Sequence, residues 1–267
     1  MSAPLVTPPP VMESAVRRKL GIEIWVVLGI SLGQSAIYAV LSIINKLTYD
    51  VPLRQQTTAM NRSTTPDRPW LDLAYQLAGT LFPLMPAVLV LYLLWAVHRP
   101  EGGPFGSMGF DLTRKRYDFG VGFAIFAGIG VAGIAFYVFA VLTGINTSVS
   151  PANLAAAWWT VPILILRAAM NGILEEVVMV GYLFTRWSQR GGEAMKILVI
   201  SAVVRAGYHA YQGFGGFVGN LVMGLVFGWI YLKTKRVMPL VIAHTLMDIV
   251  AFLGYPLLLI LVPQLAS

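Results

Sequence analysis

Residues 171–182 read NGILEEVVMVGY and place two adjacent carboxylates, Glu175 and Glu176, in the middle of an apolar run. The run extends from Trp158 to Trp187, roughly thirty residues, which is long enough to span a lipid bilayer with some tilt or a kink. A charge at bilayer depth is costly unless it is paired, protonated or turned towards a polar cavity. Because a plain membrane helix needs no glutamate at that depth, the pair indicates a functional site.

The composition is that of a protein that crosses a membrane several times. Apolar residues make up 57% of the 267, the mean hydropathy is +0.72, and charged residues are only 12%. A soluble domain carries about twice that share of charge. We therefore predict an all-α fold, a multi-pass transmembrane helical bundle of about seven or eight membrane helices. The absence of cysteine excludes disulfides, thiolate metal ligands and a cysteine nucleophile.

The net charge is +7, and the position of the basic residues in the sequence indicates that this excess reflects membrane topology. Basic residues flank the apolar segments in loops, as Arg186, Arg190 and Lys196 do after the glutamate run. This pattern is typical of cytoplasmic loops of a membrane protein and does not indicate nucleic-acid binding. We expect a multi-pass protein of the cell membrane with a cytoplasmic N-terminus. Its expected partners are the lipid bilayer and a membrane-anchored protein or peptide substrate.

The chain divides into three predicted regions. Residues 1–21 form a disordered cytoplasmic lead, since residues 1–16 are small, rich in proline and unpatterned. Residues 22–150 form three N-terminal transmembrane helices, and residues 151–267 form a C-terminal transmembrane domain of catalytic type. No sequence pattern sets the oligomeric state.

Ionisable residues on three separate helices share one depth in the membrane. At a rise of about 1.5 Å per residue from the basic loops, Glu175, His209 and Asp248 lie roughly 17–20 Å inside. His244 and Asp248 are four residues apart and share a helix face, as do Arg205 and His209. A single membrane histidine is often only a helix–helix hydrogen bond. The presence of two glutamates, two histidines and an aspartate at one depth favours a catalytic role over a purely structural one.

The polar set contains the groups needed to hydrolyse an amide without a serine or cysteine nucleophile. A carboxylate and a neutral imidazole can hold a water molecule between them and accept its proton. A second imidazole can stabilise the oxyanion of a tetrahedral intermediate. The two glutamates project about 100° apart on a helix and should have different roles. The sequence requires no cofactor, although two histidines and a glutamate could also bind a zinc ion.

Three motifs in the C-terminal half resemble those of the CAAX protease and bacteriocin-processing family of intramembrane endopeptidases. That family carries EExxxR, then FxxxH, then HxxxN or HxxxD on successive membrane helices. The resemblance covers roughly residues 155–255 of this sequence. The matching residues are, in chain order, Glu175, Glu176, His209, His244 and Asp248.

The resemblance implies a CAAX prenyl protease-like intramembrane peptidase, a hydrolase that cleaves a membrane-associated protein or peptide. By that similarity Glu175 and His209 would activate the water molecule. His244 and Asp248 would form the oxyanion site, and Glu176 would be a supporting carboxylate. A lipidated or bacteriocin-like substrate would suit such an enzyme.

Two positions depart from the family pattern, and a third differs from some members. The arginine of the family falls on Val180, so Glu176 lacks the partner expected four residues later, and the phenylalanine falls on Arg205. We predict that the guanidinium has moved between helices and that Arg205 neutralises Glu176 from across the site. Asp248 replaces the asparagine of some members, and an ionised carboxylate would oppose an oxyanion. Asp248 must therefore donate a proton, be held by His244 or have another role.

Two other functions fit the same residues. A non-catalytic or immunity-type membrane protein could keep the fold without the activity. A proton-coupled transporter could use the acids and histidines as a relay. The chain shows no obvious pair of inverted repeats, and its buried polar residues cluster in the C-terminal half, which disfavours transport.

Overall fold

The chain folds into a helical bundle with one small pair of strands. The computed structural model describes residues 14–150, 152 and 154–262, and the elements below refer to these residues. The helices are α1 (Ser14–Gly29), α2 (Leu32–Leu47), α3 (Pro69–Leu81), α4 (Met85–Ala96), α5 (Gly103–Gly106), α6 (Lys115–Leu142), α7 (Thr160–Glu176), α8 (Leu183–Gln189), α9 (Ala194–Tyr208), α10 (Phe214–Thr234) and α11 (Met238–Leu261). The strands β1 (Thr57–Ala59) and β2 (Ser148–Ser150) pair in parallel. The predicted all-α membrane bundle is confirmed.

Proline and glycine mark several helix boundaries. Pro69 and Pro239 lie in the first turns of α3 and α11, where the missing backbone N–H is tolerated. Pro83 lies in the 3₁₀ turn Phe82–Leu84 that joins α3 to α4. Gly213 has a φ of 118° and separates α9 from α10. These residues explain how short connections join the helices.

The number of full-length spans is lower than the seven or eight that the sequence predicts. Among the described residues, four segments are long and apolar enough to cross a membrane: Pro69–Ala96, Lys115–Leu142, Phe214–Thr234 and Met238–Tyr255. A fifth is gained when α1 and α2, which meet at a bend of 46°, are counted as one broken span. The shortfall arises because a π-helical turn divides the glutamate helix into short pieces and because α9 has only 15 residues.

The first helix begins earlier than the sequence predicts. The expected disordered lead covers residues 1–21, and the first thirteen of these lie outside the described residues. Residues 14–21 are not disordered but form the first turns of α1. Leu20 and Ile24 are buried, Ile24 in the main hydrophobic core, and this burial stabilises the helix.

A π-helical turn lies at the centre of the main core. All six residues of Val177–Tyr182 are buried, and the core around them includes Val90 and Leu94 of α4 and Phe227 of α10. π-Helical turns are rare and often occur at functional sites. This one follows Glu176 directly, so the unusual backbone begins at the carboxylate pair.

Glycines let the helices of the C-terminal half approach closely. A Cβ atom on Gly224 of α10 would lie 2.9 Å from the Cα of Ala202 on α9. A Cβ atom on Gly172 of α7 would lie 2.6 Å from the Oγ1 of Thr245 on α11. Small residues of this kind are typical of tightly packed membrane helices. The helices that carry the ionisable residues are therefore held at short range.

A buried arginine ties α8 to α1 and α4. The Nε atom of Arg186 donates to Oε1 of Glu23 at 2.7 Å, and Nη2 donates to the carbonyl of Leu93 at 2.6 Å. Nη1 donates to the carbonyl of His98 at 3.2 Å, and the Tyr182 hydroxyl donates to Glu23 at 2.9 Å. Arg186 is fully buried and is not the exposed loop residue that the sequence suggested.

Replacing Arg186 with alanine should destabilise the protein, because Glu23 would lose its charged partner. Removing one member of a buried ion pair costs about 3–5 kcal/mol, so the thermal unfolding midpoint in detergent should fall by several degrees. The matched control is Lys196→Ala, which removes a pair whose side chains are 64% and 69% exposed and should change the midpoint little. Equal shifts for the two variants would contradict this role of Arg186.

A second arginine, Arg236, lies in the loop between α10 and α11 and pairs with Asp111, in the loop before α6, and with Asp118, in the first turn of α6. Arg236 donates through Nε and Nη2 to the two carboxylate oxygens of Asp118, at 2.6 and 2.7 Å, and through Nη2 to Asp111 at 2.9 Å. The hydrogen bond from Arg236 lowers the pKa of Asp111 to about 2. The ion pair between Arg236 and Asp111 therefore stabilises the folded state in a pH-dependent way.

Replacing Asp111 with asparagine should remove this pH-dependent contribution. The folded-state pKa of Asp111, about 2, is below the unfolded value of about 3.9, so the contribution is complete above the unfolded pKa and is lost as the pH falls through about 2. We expect the stability difference between the wild type and Asp111→Asn to be largest near neutral pH and to close in strong acid. Thermal unfolding in detergent across a pH series would measure it. A difference that stays constant with pH would refute the linkage.

Candidate functional site

The last turns of α7 and α9 and the first half of α11 bring the predicted residues together. Glu175 and Glu176 end α7, Arg205 lies in the last turn of α9, and His209 follows that helix. The remaining two, His244 and Asp248, come from α11. Each of the six contacts at least one other member, so the shared depth predicted from the sequence brings them into one cluster.

Glu176 lies at the centre of this cluster and is fully buried. Its Oε1 atom accepts a hydrogen bond from Nη2 of Arg205 at 2.7 Å and another from Nδ1 of His244 at 2.7 Å. Arg205 and His244 are also buried. The contact that we predicted between Arg205 and Glu176 is therefore present, and two groups from other helices compensate one carboxylate.

Glu175 has different surroundings from its neighbour. Its Oε2 atom accepts a hydrogen bond from the Tyr208 hydroxyl at 2.8 Å and lies 3.7 Å from Nη1 of Arg205. Glu175 is 9% exposed whereas Glu176 is 0% exposed. The two adjacent acids therefore differ in partner and in access, as their separation around the helix predicts.

The imidazole of His209 is held by its own helix. Its Nδ1 atom lies 3.1 Å from the carbonyl oxygen of Arg205, and because a carbonyl can only accept, Nδ1 carries the proton. The basic nitrogen of the neutral ring is then Nε2. The ring centroid lies 4.7 Å from that of Tyr208 and 6.5 Å from that of Tyr211. His209 is thus oriented by a backbone contact and by two aromatic neighbours.

Asp248 is held mainly by an amide that the predicted set did not include. Its Oδ2 atom accepts a hydrogen bond from Nδ2 of Asn171 at 2.7 Å. Its Oδ1 atom lies 3.8 Å from Nε2 of His244. The expected contact between His244 and Asp248 is therefore longer than a hydrogen bond, and Asn171 is the closer partner.

The chain turns sharply after His209, and other loops fix that turn. Gly213 needs its glycine because its φ is 118° and because a Cβ atom there would lie 2.7 Å from Oδ1 of Asn146. Asn146 accepts from the backbone N–H of Gly216 at 2.9 Å, and Thr147 donates its hydroxyl to the carbonyl of Gln212 at 2.9 Å. Residues that precede α7 therefore position the segment that carries His209.

The cluster retains unused hydrogen-bonding capacity. Among the described residues, Oε2 of Glu176 and the Nε and Nη1 atoms of Arg205 are buried without a hydrogen-bond partner. Buried polar atoms in folded proteins are usually paired. The unpaired atoms suit a site that receives a polar group, such as a water molecule or a peptide carbonyl.

The cluster does not form a metal-ligand set. Within residues 14–150, 152 and 154–262, no three His, Asp or Glu side chains are arranged to hold a metal ion. Nδ1 of His244 is bonded to Glu176, and its Nε2 lies on the side of Asp248. In this arrangement the side chains of the cluster form a hydrogen-bonded network.

The segment that contains the cluster matches a known protein family. Residues 157–250 match the family model described as type II CAAX prenyl endopeptidase Rce1-like. This is just over a third of the chain, and it includes every member of the cluster. No curated protein and no solved structure gives a significant match.

Replacing Arg205 with methionine should destabilise the protein, because Glu176 would remain buried without its cation. The expected loss is about 3–5 kcal/mol of unfolding free energy. The double variant Arg205→Met with Glu176→Gln should recover most of that loss, since no buried charge is then unpaired. Unfolding of the wild type, both single variants and the double variant in detergent would give the coupling energy. Strictly additive losses would show that the two side chains are not coupled.

Proposed function

We propose that this chain, whose residues 157–250 match the type II CAAX prenyl endopeptidase Rce1-like family, hydrolyses a peptide bond of a membrane-anchored protein or peptide. One observation carries the proposal: two glutamates, two histidines and an aspartate from the matched segment lie in one buried or partly buried cluster. We further propose that the protein lies in the cell membrane with its N-terminus in the cytoplasm. Its partners are then the bilayer and the substrate anchored in it.

Glu175 and His209 are the groups that we assign to water activation. Glu175 is the more accessible of the two acids, and Tyr208 holds one of its carboxylate oxygens. The other carboxylate oxygen can accept a hydrogen bond from water. His209, with its proton held on Nδ1, offers Nε2 as a second acceptor. Together they would remove a proton as the water oxygen attacks the peptide carbonyl, and that proton would pass to the amide nitrogen as the C–N bond breaks, which releases the amine and carboxyl products.

We assign His244 to the stabilisation of the oxyanion. Its Nδ1–H is fixed by Glu176, so the direction of the ring is set before a substrate binds. With Nε2 also protonated, the ring would donate to the oxyanion from that nitrogen. Asn171 holds Asp248 at 2.7 Å, which keeps this carboxylate in a fixed position beside the ring. Asp248 would then serve as the counter-charge of the imidazolium and would not be a direct ligand of the oxyanion.

Arg205 and Glu176 have a supporting role in the proposed reaction. Arg205 compensates Glu176 through the contact of 2.7 Å, which supplies the guanidinium that the family pattern places at the position of Val180. This contact supports a catalytic protein over a non-catalytic one of the same fold, because the departure at Val180 is accompanied by a replacement. No step of the proposed reaction passes through a metal ion.

The proposal predicts that cleavage depends on Glu175 and His209. The purified chain in liposomes would be offered a panel of quenched membrane peptides, both prenylated and unmodified. Glu175→Gln and His209→Ala should each lower kcat about 10²–10⁴-fold, the usual contribution of a general base. The matched control is Glu193→Gln, an acid on the surface whose side chain is 69% exposed and whose loss should leave kcat unchanged.

Each result of this assay decides between the candidate functions. Wild-type rates for the Glu175→Gln variant would refute the assignment of the base. A chelator that abolishes wild-type cleavage would show that a metal ion takes part. A folded wild type that cleaves no member of the panel would favour the non-catalytic or immunity-type alternative.

A further inference from the structure

A groove lies between α2 and the end of α9, beside the catalytic cluster. Its volume is about 370 Å³, within the range of small-ligand sites. The residues that matter for its chemistry are Gln34, Ser35, Tyr38 and Ser42 of α2, with Tyr208 and Tyr211 on the opposite side.

The α2 wall of this groove carries polar side chains, whereas most of the other exposed residues of the helix are apolar, among them Ile37, Leu41 and Ile44. Gln34, Tyr38 and Ser42 follow one another at intervals of four residues and therefore share one helix face. Tyr38 is exposed and Gln34 and Ser42 are at least partly so. Amides and hydroxyls that face hydrocarbon without a partner are unfavourable. A polar face at this position on a membrane helix therefore indicates an occupant that forms hydrogen bonds.

The groove is connected to the cluster through Tyr208. This residue lines the groove, and its hydroxyl donates to Glu175 at 2.8 Å. The two walls are closely packed, since a Cβ atom on Gly207 would lie 3.4 Å from the Cβ of Ala36. An occupant of the groove would therefore lie next to the carboxylate that we assign to water activation.

We propose that the groove binds an extended segment of the substrate polypeptide next to the bond that is cleaved, an inference that rests on the proposed function. The described residues that line the groove carry no charge, which suits backbone amides better than a charged lipid headgroup. Gln34, Tyr38 and Ser42 would find no hydrogen-bond partner in an acyl or prenyl chain, whereas a peptide backbone supplies donors and acceptors.

The spacing of the polar side chains also fits an extended peptide. Four residues of helix correspond to a rise of about 6 Å. Two residues of an extended chain cover about 6.6 Å, and backbone groups on one side of the chain repeat at that interval. Gln34, Tyr38 and Ser42 can therefore meet alternate residues of the substrate. In this arrangement α2 contributes to substrate affinity, while the cluster carries out the chemistry.

The absence of cysteine from the chain allows a direct test. Ser42→Cys places one thiol in the groove, and Ile44→Cys places one on the same helix at a residue that is 52% exposed and does not line the groove. After reaction with a bulky maleimide, KM for the best-cleaved peptide of the panel should rise about tenfold for Ser42→Cys, with kcat little changed. The Ile44→Cys protein should keep both constants. Gln34→Leu, which removes only the amide, should also raise KM.

A second measurement does not depend on turnover. In the Glu175→Gln background, the same peptide should slow maleimide labelling at position 42 and leave labelling at position 44 unchanged. If the wild type cleaves but labelling at position 42 leaves KM unchanged, the groove is not the substrate site and the proposed function still stands. If no peptide is cleaved, the proposed function fails; labelling is then measured with each peptide of the panel, and failure of all of them to protect position 42 overturns the groove as a polypeptide site.

A lipid occupant would give a different result. The thiol at position 42 would then be protected from the maleimide in liposomes, and adding the peptide would not change its labelling rate. That outcome would overturn the proposal that the groove binds a polypeptide.

Discussion

The contact between Arg205 and Glu176, 2.7 Å long and fully buried, is the interaction on which the rest of the site depends. A lone carboxylate at this depth would be strongly unfavourable, and so would a lone guanidinium. With the two paired, Glu176 can also hold the imidazole of His244, and the same guanidinium lies 3.7 Å from Glu175. Arg205, Glu176, His244 and Glu175 therefore form one connected network centred on the buried ion pair.

The backbone brings this unit together through close helix contacts. Glycines at positions 172 and 224 allow α7 to approach α11 and α10 to approach α9, so that side chains as short as aspartate and asparagine reach one another. The π-helical turn Val177–Tyr182 follows the two acids directly and is buried within the main core. A rare backbone conformation persists only where the surroundings fix it. The packing that surrounds the turn thus also fixes the end of α7 from which both glutamates project.

Much of the site could be predicted because helix geometry converts sequence spacing into depth and direction. A constant rise per residue placed Glu175, His209 and Asp248 in one layer, and the exchange of residues at Val180 and Arg205 predicted the ion pair that the structure contains. Tyr208 could not be found in this way, because a tyrosine in an apolar run has no spacing that distinguishes a hydrogen-bonding role from packing.

Other features depend on packing between helices that are distant in the sequence. Arg186 follows an apolar run and so resembles a loop residue, yet contacts from α1 and α4 bury it. Residues 22–150 carry no motif, but they supply Glu23 to Arg186, and Asn146 and Thr147 to the turn after His209. Lys46 of α2 donates to the carbonyl of Tyr211 in the same turn, at 2.6 Å. Residues outside the matched segment therefore fix the position of His209. One of them, Lys46, belongs to α2, the helix that also forms the polar wall of the groove. Under the proposed function, α2 would link the position of His209 to substrate contact.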